Sequence, residues 1–381
     1  MLDTILSLLT NEDSLDIVNS MCPYHVSNRF TCQKCAEVCP TQGLHWENGE
    51  WVAAECMYCG KCVSVCPTGV FKLDEDVLLK KALQEEQLII TCAALSKDLP
   101  DEIQRKILTI HCLNQLYPEL VVSLLAQINN LVIYTEENTC SRCMQFDILK
   151  LLQSLDMYGD FTEKIKVISG IEELEAYSGQ HRGIEEGSQM GRRDFFKVLF
   201  KGGKTTSRKI IEQKLTEFDN HSVDQNQQEN EKSRSDLGKR KMLFNGLTKL
   251  QQGTIASPLK EVLPFNNLKI EECIFCEICT RLCPANALKI VTEENRRSIQ
   301  HSIVDCTGCG LCLDVCMAGK LSWGDPVQTE IFLENTPVTL ASAEAQQCSN
   351  CKEYFYHYPA DEELCFPCKK KMEFCKARTS T

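Results

Sequence analysis

The sequence predicts an α+β multidomain chain: two cysteine-rich modules near its ends, a small parallel α/β domain between them, and a short four-cysteine segment on the C-terminal side. Three observations predict it. Cysteine runs of repeated spacing recur within residues 22–66 and 273–316, apolar β-type runs alternate with helical stretches from about residue 76 to 170, and 381 residues exceed the ~100 to 200 of one ordinary domain. Composition shifts near residues 76, 181, 262 and 326 divide the chain into 1–20, 21–75, 76–180, 181–262, 263–325 and 326–381.

The apolar fraction of 43% is enough for real cores, and 25 cysteines mean either a disulfide scaffold or thiolates committed to metal. Spacing favours metal. The formal charge of −12 argues against nucleic acid, whose phosphates need a basic surface. Residues 1–20 carry acidic groups and no basic region ahead of their apolar stretch, so they read as a short amphipathic helix rather than a secretory signal. No stretch reaches the ~18 apolar residues of a membrane span; the best, Val121 to Tyr134, is broken by Gln127, Asn129 and Asn130. The expectation is a cytoplasmic protein without a membrane span.

In the first module, Cys56-x2-Cys59-x2-Cys62-x3-Cys66-Pro67 is complete, whereas Cys32-x2-Cys35-x3-Cys39-Pro40 has Arg29 where a first cysteine would stand. Cys22, close upstream, is the substitute. In the second module both runs are complete: Cys273-x2-Cys276-x2-Cys279-x3-Cys283-Pro284 and Cys306-x2-Cys309-x2-Cys312-x3-Cys316, with Met317 in place of the proline. The modules resemble two-cluster bacterial ferredoxins over about 115 residues. That resemblance implies a ferredoxin-like fold, one-electron transfer and four [4Fe-4S] clusters, the last cysteine of each run crossing to the neighbouring cluster. The implied ligand sets are Cys22, Cys32, Cys35 and Cys66; Cys56, Cys59, Cys62 and Cys39; Cys273, Cys276, Cys279 and Cys316; and Cys306, Cys309, Cys312 and Cys283. The rival reading of the first set is a three-cysteine site holding [3Fe-4S] or an open iron. Pro40 and Pro67 turn the chain away after the crossing ligand, and Gly43 and Gly69 permit tight turns.

Between the modules, Gln87 to Thr91, Ile107 to His111 and Asn130 to Tyr134 read as strands of a small parallel sheet. Cys92 and Cys112 follow two of them, and Cys140 and Cys143 follow the third, so parallel strands gather all four at the carboxyl edge, where open α/β sheets bind ligands. This outline resembles the small iron-sulfur subunit of methyl-viologen-reducing hydrogenases, which implies a fifth site holding a [2Fe-2S] cluster or another metal. The alternatives are a redox-active Cys140/Cys143 pair and inert core thiols. His111 alternates with Cys112 and faces away from it.

Residues 181–262 hold no cysteine, and their centre, HSVDQNQQENEKSRSDLGKRK, offers only Val223 and Leu237 to a core; they read as a helix followed by a disordered linker. The helix is RRDFFKVLF, with Phe195, Phe196, Leu199 and Phe200 on one face; Arg192 and Arg193 mark a basic helix start rather than an export signal.

Cys348-x2-Cys351 and Cys365-x2-Cys368 resemble a four-cysteine zinc ribbon, which implies one structural Zn2+; a rubredoxin-like single iron has the same ligand set. His357 reads as an exposed loop residue and Cys375 is left over. No dinucleotide fingerprint, phosphate loop or catalytic carboxylate pair is present. The chain reads as an iron-sulfur electron-transfer subunit of an oxidoreductase rather than an autonomous enzyme. Clusters would add roughly −8 to its charge, so the partner, a redox enzyme or electron carrier, should present a basic docking patch. A resemblance of GRRDFFK to ferredoxin-like accessory proteins of nitrate reductase operons implies the alternative, an assembly factor for a molybdenum oxidoreductase. A thiol-disulfide enzyme fed by the clusters is a third reading.

Overall fold

The computed structural model describes residues 15–27, 31–73, 78–79, 82–136, 146–161, 163–179, 238–252 and 259–379. The first module begins with strand β1 (Asp16–Ile17), not helix, across residues 16–17. A hairpin follows, β2 (Leu44–Glu47) and β3 (Glu50–Ala53), closed by Asn48 and Gly49 at φ 51° and 89°. Both positive angles are what a two-residue turn needs to match strand twist. Strand β4 (Phe71–Lys72) pairs antiparallel with β1, which replaces the expected N-terminal helix at its last residues because Ile17 gains Phe71 as a backbone partner.

The α/β domain is a four-stranded parallel sheet of β5 (Gln87–Cys92), β6 (Leu108–Ile110), β7 (Asn130–Tyr134) and β8 (Ile165–Ile168), in the order β6-β5-β7-β8. The runs predicted from sequence fall on β5, β6 and β7. Ile90 lies opposite Leu108 on one side and Ile133 on the other, and strands buried on both faces need such apolar runs. Helix α1 (Pro118–Leu125) starts on a proline at its first turn and buries Leu120, Val121, Val122, Leu124 and Leu125. Helices α2 (Ile148–Asp156), capped by the Asp147 carboxylate accepting from the Lys150 N–H at 3.0 Å, and α3 (Ile171–Gly179) complete the domain.

The sequence reading of 181–262 as linker is corrected at its C-terminal part, where α4 (Gly238–Gln252) is a helix packed on α1. Its start is basic, so composition conceals it, but Leu243, Leu247 and Leu250 are buried, each contributing about 2 kcal/mol of apolar burial. Gly246 allows the close approach: a Cβ there would lie 3.1 Å from Val122 Cγ1 and 3.2 Å from the Ser123 backbone. The RRDFFKVLF segment lies outside the described residues.

The second module pairs β9 (Val262–Ile270) with β12 (Leu321–Gln328), and β10 (Leu288–Glu293) with β11 (Arg296–His301) and β13 (Val338–Glu344), all antiparallel. Strand β12 therefore runs across the composition boundary at 326, and β13 belongs to the ferredoxin module's sheet; backbone pairing reaches past the last cluster cysteine. Helix α5 (Thr329–Glu334) buries Phe332 against Phe244 of α4 and Phe265 of β9, with ring centroids 5.6 and 5.2 Å apart. One continuous apolar core thus runs from the first module through α1 and α4 to the second. Strands β14 (Gln346–Gln347) and β15 (Tyr354–Phe355) and helix α6 (Phe366–Thr379) form the C-terminal segment. No helix of the described residues is long and apolar enough to cross a membrane.

Leu247→Ala is expected to destabilise the protein by about 3 kcal/mol in chemical denaturation. No change would mean that α4 is not docked.

Candidate iron-sulfur centres

The complete cysteine runs fold into the same loop three times. In Cys56–Cys62, Tyr58 and Gly60 have φ of 49° and 79°; in Cys273–Cys279, Phe275 and Glu277 have 51° and 65°; in Cys306–Cys312, Gly308 and Gly310 have 68° and 84°. Left-handed residues flanking the second cysteine turn successive backbone N–H groups inward, forming an anion-binding nest. The Tyr58 N–H reaches Cys56 Sγ at 3.4 Å and the Phe275 N–H reaches Cys273 Sγ at 3.3 Å. Tyr58, Phe275 and Glu277 hold this conformation at a strain of about 1 kcal/mol or more each, which favourable N–H contacts to negative sulfur offset.

After three of the four crossing cysteines the chain turns back in the same way. The N–H groups of Gln42, Asn286 and Gly319 donate to the carbonyls of Cys39, Cys283 and Cys316 at 3.2, 3.2 and 3.1 Å. Met317 therefore leaves the turn intact; its neighbour Gly319 supplies the φ of 65° that Gln42 and Asn286 adopt at 54° and 50°.

Three hollows show which cysteines meet. Cys39, Cys56, Cys59 and Cys62 line one; Cys273, Cys276, Cys279 and Cys316 line another; Cys283, Cys306, Cys309 and Cys312 line a third. Each joins three cysteines of one run to the last of the other. In the incomplete pair, Cys35 feels the charges of Cys66, Cys22 and Cys32, so those four stand together. Cys22 is buried, and the Trp51 indole N–H donates to its sulfur at 3.3 Å.

Burial and neighbouring thiolates push Cys35, Cys62 and Cys279 up to about 12, and Cys273 and Cys309 up to about 11. Such thiols ionise at neutral pH only beside a strong positive charge, which is what a cationic iron-sulfur core supplies. Burial would also raise Cys39, but hydrogen bonds from the Thr41 hydroxyl and the Leu44, Thr41 and Gly43 N–H groups outweigh it and lower the thiol. The Thr41 and Thr68 hydroxyls lie 3.4 and 3.5 Å from the Cys39 and Cys66 sulfurs. The repeated Cys-Pro-Thr tripeptide is the sequence signal for both; for Trp51 there is none.

The carboxyl edge of the parallel sheet meets the first module. Cys112 packs with Cys59 and Met57, Cys92 raises the Cys112 thiol beyond the effect of burial, and the Gln115 side-chain amide donates to the Tyr58 carbonyl at 2.9 Å. Cys140 and Cys143 lie outside the described residues. His111 is exposed beside the Tyr58 ring.

The ribbon cysteines are packed more tightly. The sulfurs of Cys348, Cys351, Cys365 and Cys368 lie within 4.8 Å of one another, and among the described residues the ferredoxin tetrads do not meet that limit. One ion holds its ligands at such a span, whereas a cubane holds them at four corners. Backbone N–H groups of Cys351, Cys365 and Asn350 hold the Cys348 thiol down at about 6. His357 corrects the sequence reading: it is buried, with Nδ1 2.7 Å from the Pro359 carbonyl and Nε2 3.3 Å from Glu272. Cys273 and Tyr358 exchange backbone hydrogen bonds of 2.8 and 2.9 Å, so this segment clasps a cysteine of the second module.

Family profiles match two stretches: a 4Fe-4S dicluster domain over residues 272–320 and a 4Fe-4S binding domain over residues 50–72. No curated protein matches the chain. The chain carries two 4Fe-4S ferredoxin-type domains, which suggest an iron-sulfur electron-transfer role. Neither match reaches the α/β domain, and no relative supports the hydrogenase-subunit resemblance.

Gly60→Ala is expected to cost about 2 kcal/mol more than Gly49→Ala in urea unfolding. Both sites have positive φ, but a Cβ at Gly60 would sit 2.9 Å from Gln115 Cα, while at Gly49 nothing lies within 4 Å. Equal costs would contradict the contact between the first module and the sheet edge.

Proposed function

We propose that the chain relays single electrons through four [4Fe-4S] clusters to or from a cytoplasmic oxidoreductase, with the ligand sets implied by the crossing rule. The observation that carries this reading is the meeting, in three hollows, of cysteines from separate runs in that crossed pattern. When bound, each cluster supplies one reversible electron. The chain's residues would do the rest: thiolates would hold the iron, and the nests and Trp51 would donate hydrogen bonds to sulfur.

The ribbon tetrad is proposed to hold one structural Zn2+, because its four sulfurs fit a single ion and leave no open position. Through the Tyr358–Cys273 pairing it would brace one cluster rather than exchange electrons. The acidic chain, made more so by its clusters, calls for a redox partner with a basic patch.

Stepwise reduction with dithionite and reoxidation, followed by electron paramagnetic resonance, should return the starting spectrum with defined midpoints. Cys22→Ser should remove one cluster or convert it to [3Fe-4S], while Cys375→Ser leaves all in place. Clusters that cannot be reoxidised without iron loss would fit an assembly factor instead, and an unaltered spectrum in Cys22→Ser would remove Cys22 as a ligand.

A further inference from the structure

Two adjacent residues at the start of α4 bring positive charge to the backbone beside Cys66 and to the cleft lined by Cys306. Lys239 Nζ donates to the carbonyls of Val63, Ser64 and Cys66, the last two at 3.2 and 3.1 Å, and stands 4.6 Å from the Tyr117 ring centroid. Arg240, one residue on, stacks over Phe265 at 4.0 Å and lines, with Cys306, Thr307 and Trp323, the cleft between the α/β domain and the second module. Among the described residues no carboxylate forms an ion pair with Arg240.

A second basic side chain lies at this tetrad. His301 is buried and lines the hollow of Cys283, Cys306, Cys309 and Cys312. Its Nδ1 lies 2.7 Å from Asn267 Oδ1, which also accepts from the Leu268 N–H, so Nδ1 carries the proton. Arg240 faces Cys306 of this tetrad across the seam.

We propose that Lys239 and Arg240 form an electrostatic bridge that raises the reduction potentials of the two clusters flanking α4, those of Cys22/Cys32/Cys35/Cys66 and Cys283/Cys306/Cys309/Cys312, making this seam the crossing point between the modules. The proposal rests on the four-cluster reading. A reduced cluster is more negative than an oxidised one, so a fixed cation beside it favours reduction. The crossing is a one-electron exchange: the cluster of one module is oxidised as that of the other is reduced. Adjacency in one helix fixes both charges to a single rigid element whose far side is held by Leu243, Leu247 and Leu250.

The test is a redox titration of full-length holoprotein, followed by electron paramagnetic resonance, for wild type, Arg240→Gln, Lys239→Gln and Arg240→Lys. Iron and sulfide are measured on the same samples. Arg240→Gln should move one midpoint to more negative potential and leave the others, Lys239→Gln should move a different one, and Arg240→Lys should stay near wild type. Unmoved midpoints, or an Arg240→Lys shift equal to that of Arg240→Gln, would overturn the proposal. So would iron loss in both Arg240 variants, which would make the guanidinium a packing element. Wild-type protein without four clusters would instead defeat the reading on which the proposal stands.

Discussion

Sulfurs gathered inside a protein repel one another as thiolates and resist ionising as burial deepens, so each tetrad requires compensating charge or hydrogen-bond donors around it. Much of the fold can be read as a response to that constraint. The left-handed residues beside Cys59, Cys276 and Cys309 turn backbone N–H groups toward sulfur, and the i to i+3 turns after the crossing cysteines bring the chain back without adding a charge. Side chains contribute where the backbone does not: Thr41, Thr68 and Trp51 reach sulfurs of the first module, whose incomplete run has lost a ligand from its usual place.

The α/β domain and α4 turn two small modules into one body. Loops built around cysteines bury little apolar surface, and small domains are marginal for that reason. Here the sheet edge docks on the Tyr58–Gly60 loop, α4 lies across α1, and Phe332 closes the contact with the second module. The same helix that supplies this burial brings Lys239 to the Cys66 carbonyl and Arg240 to the cleft lined by Cys306, so packing and charge are placed by one element.

The local patterns were legible in the sequence. Cysteine spacing marked three runs that the 4Fe-4S profiles match, because the cysteines of a run lie within one loop, and apolar runs of period and length suited to buried strands marked β5, β6 and β7. Strand β8 was missed because Ile165, Val167 and Ile168 are interrupted by Lys166 and preceded by a charged turn. Long-range features left little local trace. Helix α4 opens with Gly-Lys-Arg-Lys, which in isolation reads as solvated chain, and only its packing, Gly246 against Val122 and Phe244 against Phe332, reveals it. His357 looked like a loop histidine because Glu272, which it meets, lies far away in the sequence. Trp51 gave no sign of its bond to Cys22 for the same reason.

The central claim is that these cysteines hold iron-sulfur clusters rather than several zinc ions. Iron, acid-labile sulfide and zinc measured in protein purified without oxygen test it most directly. The account predicts about sixteen iron, about sixteen sulfide and about one zinc per chain, with about eighteen iron if the α/β domain holds a [2Fe-2S] cluster. Little sulfide and several zinc ions per chain would contradict it.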